Sequence, residues 1–216
     1  MQQLTHQPLP PMPPRIAKLP RDHRGFPIPW FVAKLPDGTR DFRIAEGYKN
    51  ELAVRNKLCW VCGERLGRYM AFVIGPMCVV NRVTAEPPCH LDCAEFSATA
   101  CPFLIRPRMR RNENDLPEGH RAPPGEFLTR NPGATCVYTT LDYRRFDAGN
   151  GRLIKLGEPT DVQWFAEGKA ATRNQVRASI DSGYPLLLDL ARQQGGDAVA
   201  ELEFQLQRAI ALLPAD

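Results

Sequence analysis

Two short segments of this sequence carry residues that bind soft metal ions. The first is CWVCGERLG, in which Cys59 and Cys62 are separated by two residues and Gly63 follows directly. The second is CHLDC, which supplies His90 and Cys93. A Cys-x-x-Cys loop turns two thiolates toward one point, and structural zinc sites take four Cys or His ligands in a tetrahedron. The spacing therefore predicts one structural zinc ion per chain, held by Cys59, Cys62, His90 and Cys93.

The fourth ligand has an alternative, because Cys89 directly precedes His90. With Cys89 in that role, the site would be a four-cysteine centre. We favour His90, since a helix that begins near it would place His90 and Cys93 three residues apart on one face. The remaining cysteines lie outside any ligand spacing and are interpreted as packed thiols; they are Cys78, Cys101 and Cys136.

The cysteines also bear on the cellular compartment. The chain shows no signal peptide and no apolar run long enough to cross a membrane. In such a chain, clustered cysteines favour metal thiolates over disulfides. We therefore expect a cytoplasmic protein with no membrane partner.

A set of four protein ligands argues against catalysis at the metal. Structural zinc sites are closed, whereas catalytic sites keep one position open for water. The sequence shows no nucleophile–base pair, no phosphate-binding Gly-rich loop and no His-Glu-x-x-His run. The other histidines are interpreted as solvated loop residues: His6, His23 and His120. We expect a protein that is not an enzyme.

The elements that position the ligands follow from turns and periodicity. Residues 1–20 hold six prolines and little apolar content, so we expect a disordered leader. WFVAKL and DFRI predict strands joined by the tight turn PDGT, followed by a helix over about 46–57. Residues 68–84 predict a second hairpin that turns at Gly75-Pro76. A further helix is predicted from about His90 to Pro102.

The second half of the chain predicts a separate unit. Residues 105–133 are rich in proline and are interpreted as a linker between a zinc-binding domain, 21–104, and a C-terminal domain, 134–216. TCVYTTLDYRRFD, GRLIKLGE and DVQWFAEG predict strands. Three helices follow: one starts at a Thr172–Gln175 capping box and stops at Gly183, one runs from Tyr184-Pro185 to Gly195-Gly196, and one follows Asp197. The fold class is α+β.

A basic segment comes directly after the second ligand pair. The net charge of the chain is only +4, but IRPRMRRN places four guanidinium groups within six residues. Guanidinium matches phosphate oxygens in a bidentate fork. This segment would grip a nucleic-acid backbone or an acidic protein surface, or it is a solvated basic loop. Its arginines are Arg106, Arg108, Arg110 and Arg111.

Two resemblances extend this interpretation. The order of knuckle, hairpin and ligand-bearing helix resembles the treble-clef zinc fingers. RGFPIPWFV, the cysteine motifs and WFAEGKAATRNQVRASIDSGYPLLLDLA resemble uncharacterised proteins carried by bacteriophages and prophages. The second resemblance implies a phage-borne accessory protein that works in the host cytoplasm, and it implies no particular activity.

We therefore expect a zinc-stabilised, non-enzymatic protein that binds a host or phage macromolecule, such as a modulator of host defence or transcription. One alternative is a nuclease of the His-Asn-His type, some of which are built on a treble clef. Such an enzyme needs a general-base histidine on the hairpin, and residues 68–84 contain none. The other alternative is a virion or assembly component.

Overall fold

A short helix, a hairpin and a longer helix precede the first cysteine pair. We describe them from a computed structural model that places residues 9–107, 109–116, 124–125, 130–149 and 151–215. The elements are α1 (Pro14–Ala17), β1 (Val32–Lys34), β2 (Arg40–Ala45) and α2 (Gly47–Asn56). β1 and β2 pair antiparallel, as the PDGT turn predicts. The predicted helix over 46–57 is confirmed as α2.

The predicted disorder of the leader is wrong for residues 9–20. Pro14 opens α1 at its first helical position, where the missing N–H costs nothing. Ile16 is only 1% exposed and lies in the same core cluster as Cys59 and Cys93. The few apolar residues of this segment order it because they pack on a surface built by the rest of the chain. Residues 1–8 lie outside the described residues.

The predicted second hairpin is also wrong in part. The segment forms β3 (Met70–Ile74), α3 (Pro76–Asn81) and β4 (Val83–Thr84), followed by α4 (Leu91–Ala100). Gly75 is the N-cap of α3 and Pro76 is its first residue, so this Gly-Pro pair starts a helix. Cys78 therefore lies in a helix and not in a strand. The helix predicted from His90 is confirmed as α4, with His90 at its N-cap.

The C-terminal part contains five strands and two helices among its described residues. They are β5 (Thr135–Thr140), β6 (Tyr143–Asp147), β7 (Arg152–Leu156), β8 (Pro159–Ala166), β9 (Lys169–Ala170), α5 (Arg173–Gln194) and α6 (Gly196–Ile210). The Thr172–Gln175 capping box is confirmed. The prediction of three helices is wrong, because α5 continues through Gly183 and Pro185. Gly183 is buried against the Met77 side chain of α3, whereas Pro185 lies on the exposed side of the helix.

One antiparallel sheet joins the two halves of the chain. Its strand order is β3-β5-β8-β9, and β3 pairs with β5 from Met70↔Thr140 to Ile74↔Cys136. A second sheet has the order β4-β7-β6. Among the described residues, no helix combines the length and the apolar character needed to span a bilayer. The α+β fold class is confirmed.

The faces of the main sheet belong to two hydrophobic clusters. Phe72 and Tyr138 lie in the cluster that also contains buried residues of α3, α5 and α6. Ala71 and Val137, their neighbours along the strands, lie in the cluster with α4 and the cysteine loop. Successive strand residues point to opposite faces, so the sheet has a helical layer on each side. The predicted boundary at 105–133 consequently does not divide the core, since each cluster takes side chains from both halves.

Candidate metal centre

The four predicted ligands come together in the fold. The Sγ atoms of Cys59, Cys62 and Cys93 and a ring nitrogen of His90 all lie within 4.8 Å of one another. Cys59 and Cys93 are 0% exposed, and Cys62 and His90 are partly buried. Three thiols and an imidazole at these separations form a group that could hold a metal ion such as zinc.

The cysteine loop is shaped by its backbone hydrogen bonds. The Gly63 N–H donates to the Cys59 carbonyl at 2.9 Å, and the Cys59 N–H donates to the Glu64 carbonyl at 2.8 Å. Gly63 has φ +77°, a left-handed conformation that suits glycine. The Trp30 ring lies so close that a Cβ on Gly63 would be 2.7 Å from its Cγ. The backbone N–H of Trp30 also donates to the Val61 carbonyl at 2.7 Å, which holds the Trp30 backbone beside the loop.

The start of α4 brings the second pair to the loop. His90 is the extended N-cap residue, and Cys93 lies in the first turn of the helix. The His90 N–H lies 3.4 Å from Cys59 Sγ, and the Cys62 N–H lies 3.5 Å from the same sulfur; both donate to it. Backbone donors of this kind favour the thiolate form of Cys59.

The two nitrogens of His90 have different partners. Nε2 lies 3.0 Å from the Arg65 carbonyl oxygen, and Nδ1 lies 3.4 Å from Cys62 Sγ. A carbonyl only accepts, so Nε2 carries the hydrogen and Nδ1 presents its lone pair to the sulfurs. Metal-bound histidines are commonly oriented in this way, by donating the second N–H to a carbonyl. His90 therefore fits a metal ligand that acts through Nδ1.

The thiols influence one another strongly. Hydrogen bonds from Cys62, Cys89 and Cys93 hold the pKa of Cys59 far below its usual range. The interaction with Cys59 raises the pKa of Cys62 to about 11, and interactions with Cys59 and Cys62 raise the pKa of Cys93. Three thiols this close cannot all ionise without a cation among them. A divalent cation supplies that compensation, and this donor chemistry fits zinc.

Cys89 lies beside the group and not within it. Its backbone pairs with Ala71 in both directions, at 2.6 and 2.9 Å, and its side chain is buried. The hydrogen bond with Cys59, followed by burial, raises the pKa of the Cys89 thiol. The group of donor atoms within 4.8 Å of one another includes His90 and not Cys89, and this is the set that the helix-start argument favours.

The other cysteines are consistent with packed thiols. Burial raises the pKa of Cys78 to about 11 and also raises the pKa values of Cys101 and Cys136. Cys136 lies in the core cluster on the α5 side of the main sheet, and Cys78 packs against that cluster. Neither belongs to the ligand group.

The arginine segment after α4 does not present one uniform basic surface. Arg106 and Arg110 are exposed. Arg111 is partly buried and donates from Nη2 to the Arg43 carbonyl at 2.6 Å, which ties the segment to β2. Arg108 lies outside the described residues. Sequence spacing grouped these four arginines together because spacing does not indicate that Arg111 has a partner within the protein.

Sequence reasoning also missed two residues next to the ligand group. Trp30 packs on Gly63, as described above. Arg15 bonds to Asp92 at 2.9 Å and to Glu64 at 3.2 Å. Trp30 lies 33 positions before Gly63, and Arg15 lies 49 positions before Glu64 and 77 before Asp92, so no local pattern could have indicated them. The only signal for Arg15 is its position next to Ile16 in an otherwise proline-rich segment.

Comparisons of the chain with protein families, with curated proteins and with solved structures found no match.

Proposed function

We propose that this protein is a zinc-stabilised, non-enzymatic binding protein of the phage accessory type. In this proposal the metal holds the cysteine loop and the start of α4 in one fixed arrangement. The surrounding surface then engages a host or phage macromolecule. Zinc supplies folding energy in such a site and no reaction step.

The observation that carries the proposal is the complete ligand set. Cys59, Cys62, Cys93 and the Nδ1 atom of His90 supply four donors, which is the full coordination of a structural zinc ion. The remaining nitrogen of His90 is occupied by the Arg65 carbonyl. These four protein ligands leave no coordination position open for water, so the arrangement suits a structural ion better than a catalytic one.

A treble-clef-like arrangement is part of the proposal. The cysteine loop leads into β3, the backbone at Cys89 returns to pair with Ala71, and α4 then carries the second ligand pair. The returning arm is much shorter than the predicted hairpin strand, because α3 and β4 are inserted between Ile74 and Cys89. The order loop, return pair and helix supports the resemblance.

The nuclease alternative receives no support from this geometry. A His-Asn-His enzyme needs a histidine base on the arm between the loop and the helix, and residues 68–84 contain none. The zinc-loaded protein, incubated with plasmid, linear and single-stranded DNA in Mg²⁺ or Mn²⁺, should leave all three intact. Cleavage that survives repurification and is lost in a folded His90→Ala variant would contradict the proposal.

The partner of the proposed surface is a nucleic acid or an acidic protein. Arg106 and Arg110 are the described arginines of the basic segment that face solvent. If both contact phosphates of duplex DNA, the logarithmic salt slope should be roughly −2. Anisotropy titrations with labelled duplex DNA and RNA at several salt concentrations measure it. Alanine at both positions should remove most of this salt dependence. If the wild-type protein binds neither DNA nor RNA at low salt, the nucleic-acid partner is ruled out and an acidic protein is the remaining candidate.

A further inference from the structure

The N-terminal strap, residues 9–20, lies against the metal centre. Its only turn of helix, α1, places Ile16 in the core cluster that contains Cys59 and Cys93. Three further apolar residues of the strap pack against the same cluster: Leu9, Met12 and Leu19. The strap is therefore anchored by apolar contacts on both sides of Arg15.

Arg15 connects the two segments that carry the ligands. Its Nη1 donates to Asp92 Oδ2 at 2.9 Å, and its Nε lies 3.2 Å from Glu64 Oε2. Asp92 immediately precedes the ligand Cys93, and Glu64 lies two residues after the ligand Cys62. One guanidinium group thus spans the gap between the cysteine loop and the first turn of α4.

Charge favours a cation at this position. Three thiolates, a neutral imidazole and Zn²⁺ together carry a net charge of −1. Asp92 and Glu64 add two negative charges at the edge of the same site. Asp92, and after it Glu64 and the Cys93 sulfur, raise the pKa of Arg15. The guanidinium group is well placed to compensate this negative charge.

We propose that Arg15 holds the two ligand-bearing segments of the metal centre together and that the N-terminal strap retains the bound zinc. This inference rests on the proposed zinc site. The strap must lift from the cluster before both ligand segments can separate, so the bond of Arg15 to each of them slows release of the metal. The same bonds raise the equilibrium affinity for zinc, and by linkage bound zinc then stabilises the docked strap.

The test is the rate at which the full-length, zinc-loaded protein loses zinc to an excess of a chromogenic chelator. Residues that hydrogen-bond a metal ligand typically change affinity by 10- to 100-fold. Arg15 contacts neighbours of the ligands and its side chain is 40% exposed, and both features weaken its effect. Arg15→Ala should therefore release zinc roughly 3- to 30-fold faster. Arg15→Lys keeps the positive charge but loses the planar guanidinium that reaches both carboxylates, and should give an intermediate rate.

Lys18→Ala is the matched control. Lys18 lies one helical turn from Arg15 and contacts the same Glu64 at 3.3 Å, but its side chain is 72% exposed and has no bond to Asp92. Its removal should change the release rate less than about twofold. An equal effect of Lys18→Ala and Arg15→Ala would show that only general charge near Glu64 matters, and would overturn the role of Arg15.

Hydrogen exchange in the zinc-loaded variants separates this role from simple loss of stability. The amides of Ile16, Ala17 and Leu19 are bonded within the strap. They should exchange faster in Arg15→Ala while the amides of α5 keep wild-type protection. If Arg15→Ala fails to fold, Asp92→Asn removes the ion pair between Arg15 and Asp92, leaves the pair of Lys18 with Glu64, and should still accelerate release. Equal release rates for zinc-loaded wild type and Arg15→Ala would contradict this inference and leave the proposed zinc site intact. A wild-type protein without zinc would contradict the proposed metal centre as well.

Discussion

His90 uses its two ring nitrogens for two purposes. Nδ1 faces the cysteine sulfurs, and Nε2 donates to the Arg65 carbonyl of the cysteine loop. The second bond fixes both the tautomer and the orientation of the ring. Cys89, one residue earlier, has its backbone bound to Ala71 and its thiol buried beside Cys59. Neighbouring residues in the sequence therefore have different roles at the site.

This difference leads to a prediction for two alanine variants. His90→Ala removes one of four ligands, so the purified protein should contain much less than one zinc per chain. Cys89→Ala replaces a thiol outside the ligand group and should keep about one zinc per chain. Elemental analysis after dialysis against metal-free buffer measures both. Loss of zinc in Cys89→Ala, with zinc retained in His90→Ala, would assign the fourth ligand to Cys89 instead.

At the scale of single residues, spacing predicted the ligands and missed their surroundings. Cys59, Cys62, His90 and Cys93 could be selected because zinc chemistry restricts residue type and separation. The contacts of Arg15 and Trp30 depend on how distant segments pack, and no local pattern encodes them. The same holds for Arg111, whose bond to the Arg43 carbonyl removes it from the predicted basic cluster.

At the scale of elements, the cysteine loop depends on a glycine with a positive φ. Gly63→Ala would force a Cβ to within 2.7 Å of the Trp30 ring and would strain the backbone at φ +77°. We expect a loss of roughly 2 kcal/mol or more in the free energy of unfolding. Denaturant titrations followed by tryptophan fluorescence measure it.

Gly67 provides the control for this substitution. It ends the same loop, but a Cβ there would have no neighbour within 4 Å. Gly67→Ala should change the free energy of unfolding by less than about 1 kcal/mol. Similar losses of stability for both variants would show that the close contact between Gly63 and Trp30 is not the reason why position 63 requires glycine.

The two wrong predictions of secondary structure both came from glycine or proline positions that usually end an element. Gly75-Pro76 predicted a turn, but proline is equally suited to the first position of a helix, and α3 begins there. Gly183 predicted a helix stop, yet α5 continues because tertiary packing against Met77 suits a residue without a side chain. The capping box at Thr172, the hairpin of β1 and β2, and α2 have local determinants and were predicted correctly.

At the scale of the whole molecule, one sheet supports both hydrophobic clusters. Alternate residues of β3 and β5 point to the metal side and to the α5 side, so each cluster restrains the other through the same strands. The composition of residues 105–133 indicates a linker, but composition carries no information about which strands pair across it. For this reason the sequence could not reveal that the core continues across this segment.

The shared sheet predicts that zinc removal affects both clusters. Metal binding of this kind contributes several kcal/mol to folding. Treatment with a strong chelator should lower the melting temperature in one transition and reduce amide protection in α5 as well as in α4. Circular dichroism and hydrogen exchange measure these changes. Wild-type protection throughout α5 after complete zinc loss would show that the two clusters are stable independently.

X-ray absorption at the zinc edge of the full-length protein distinguishes a closed site of three sulfurs and one nitrogen from other coordination. We expect one zinc per chain with three sulfur ligands at about 2.3 Å and one imidazole nitrogen at about 2.0 Å. Absence of zinc, four sulfur ligands, or a water oxygen in the coordination shell would contradict this expectation.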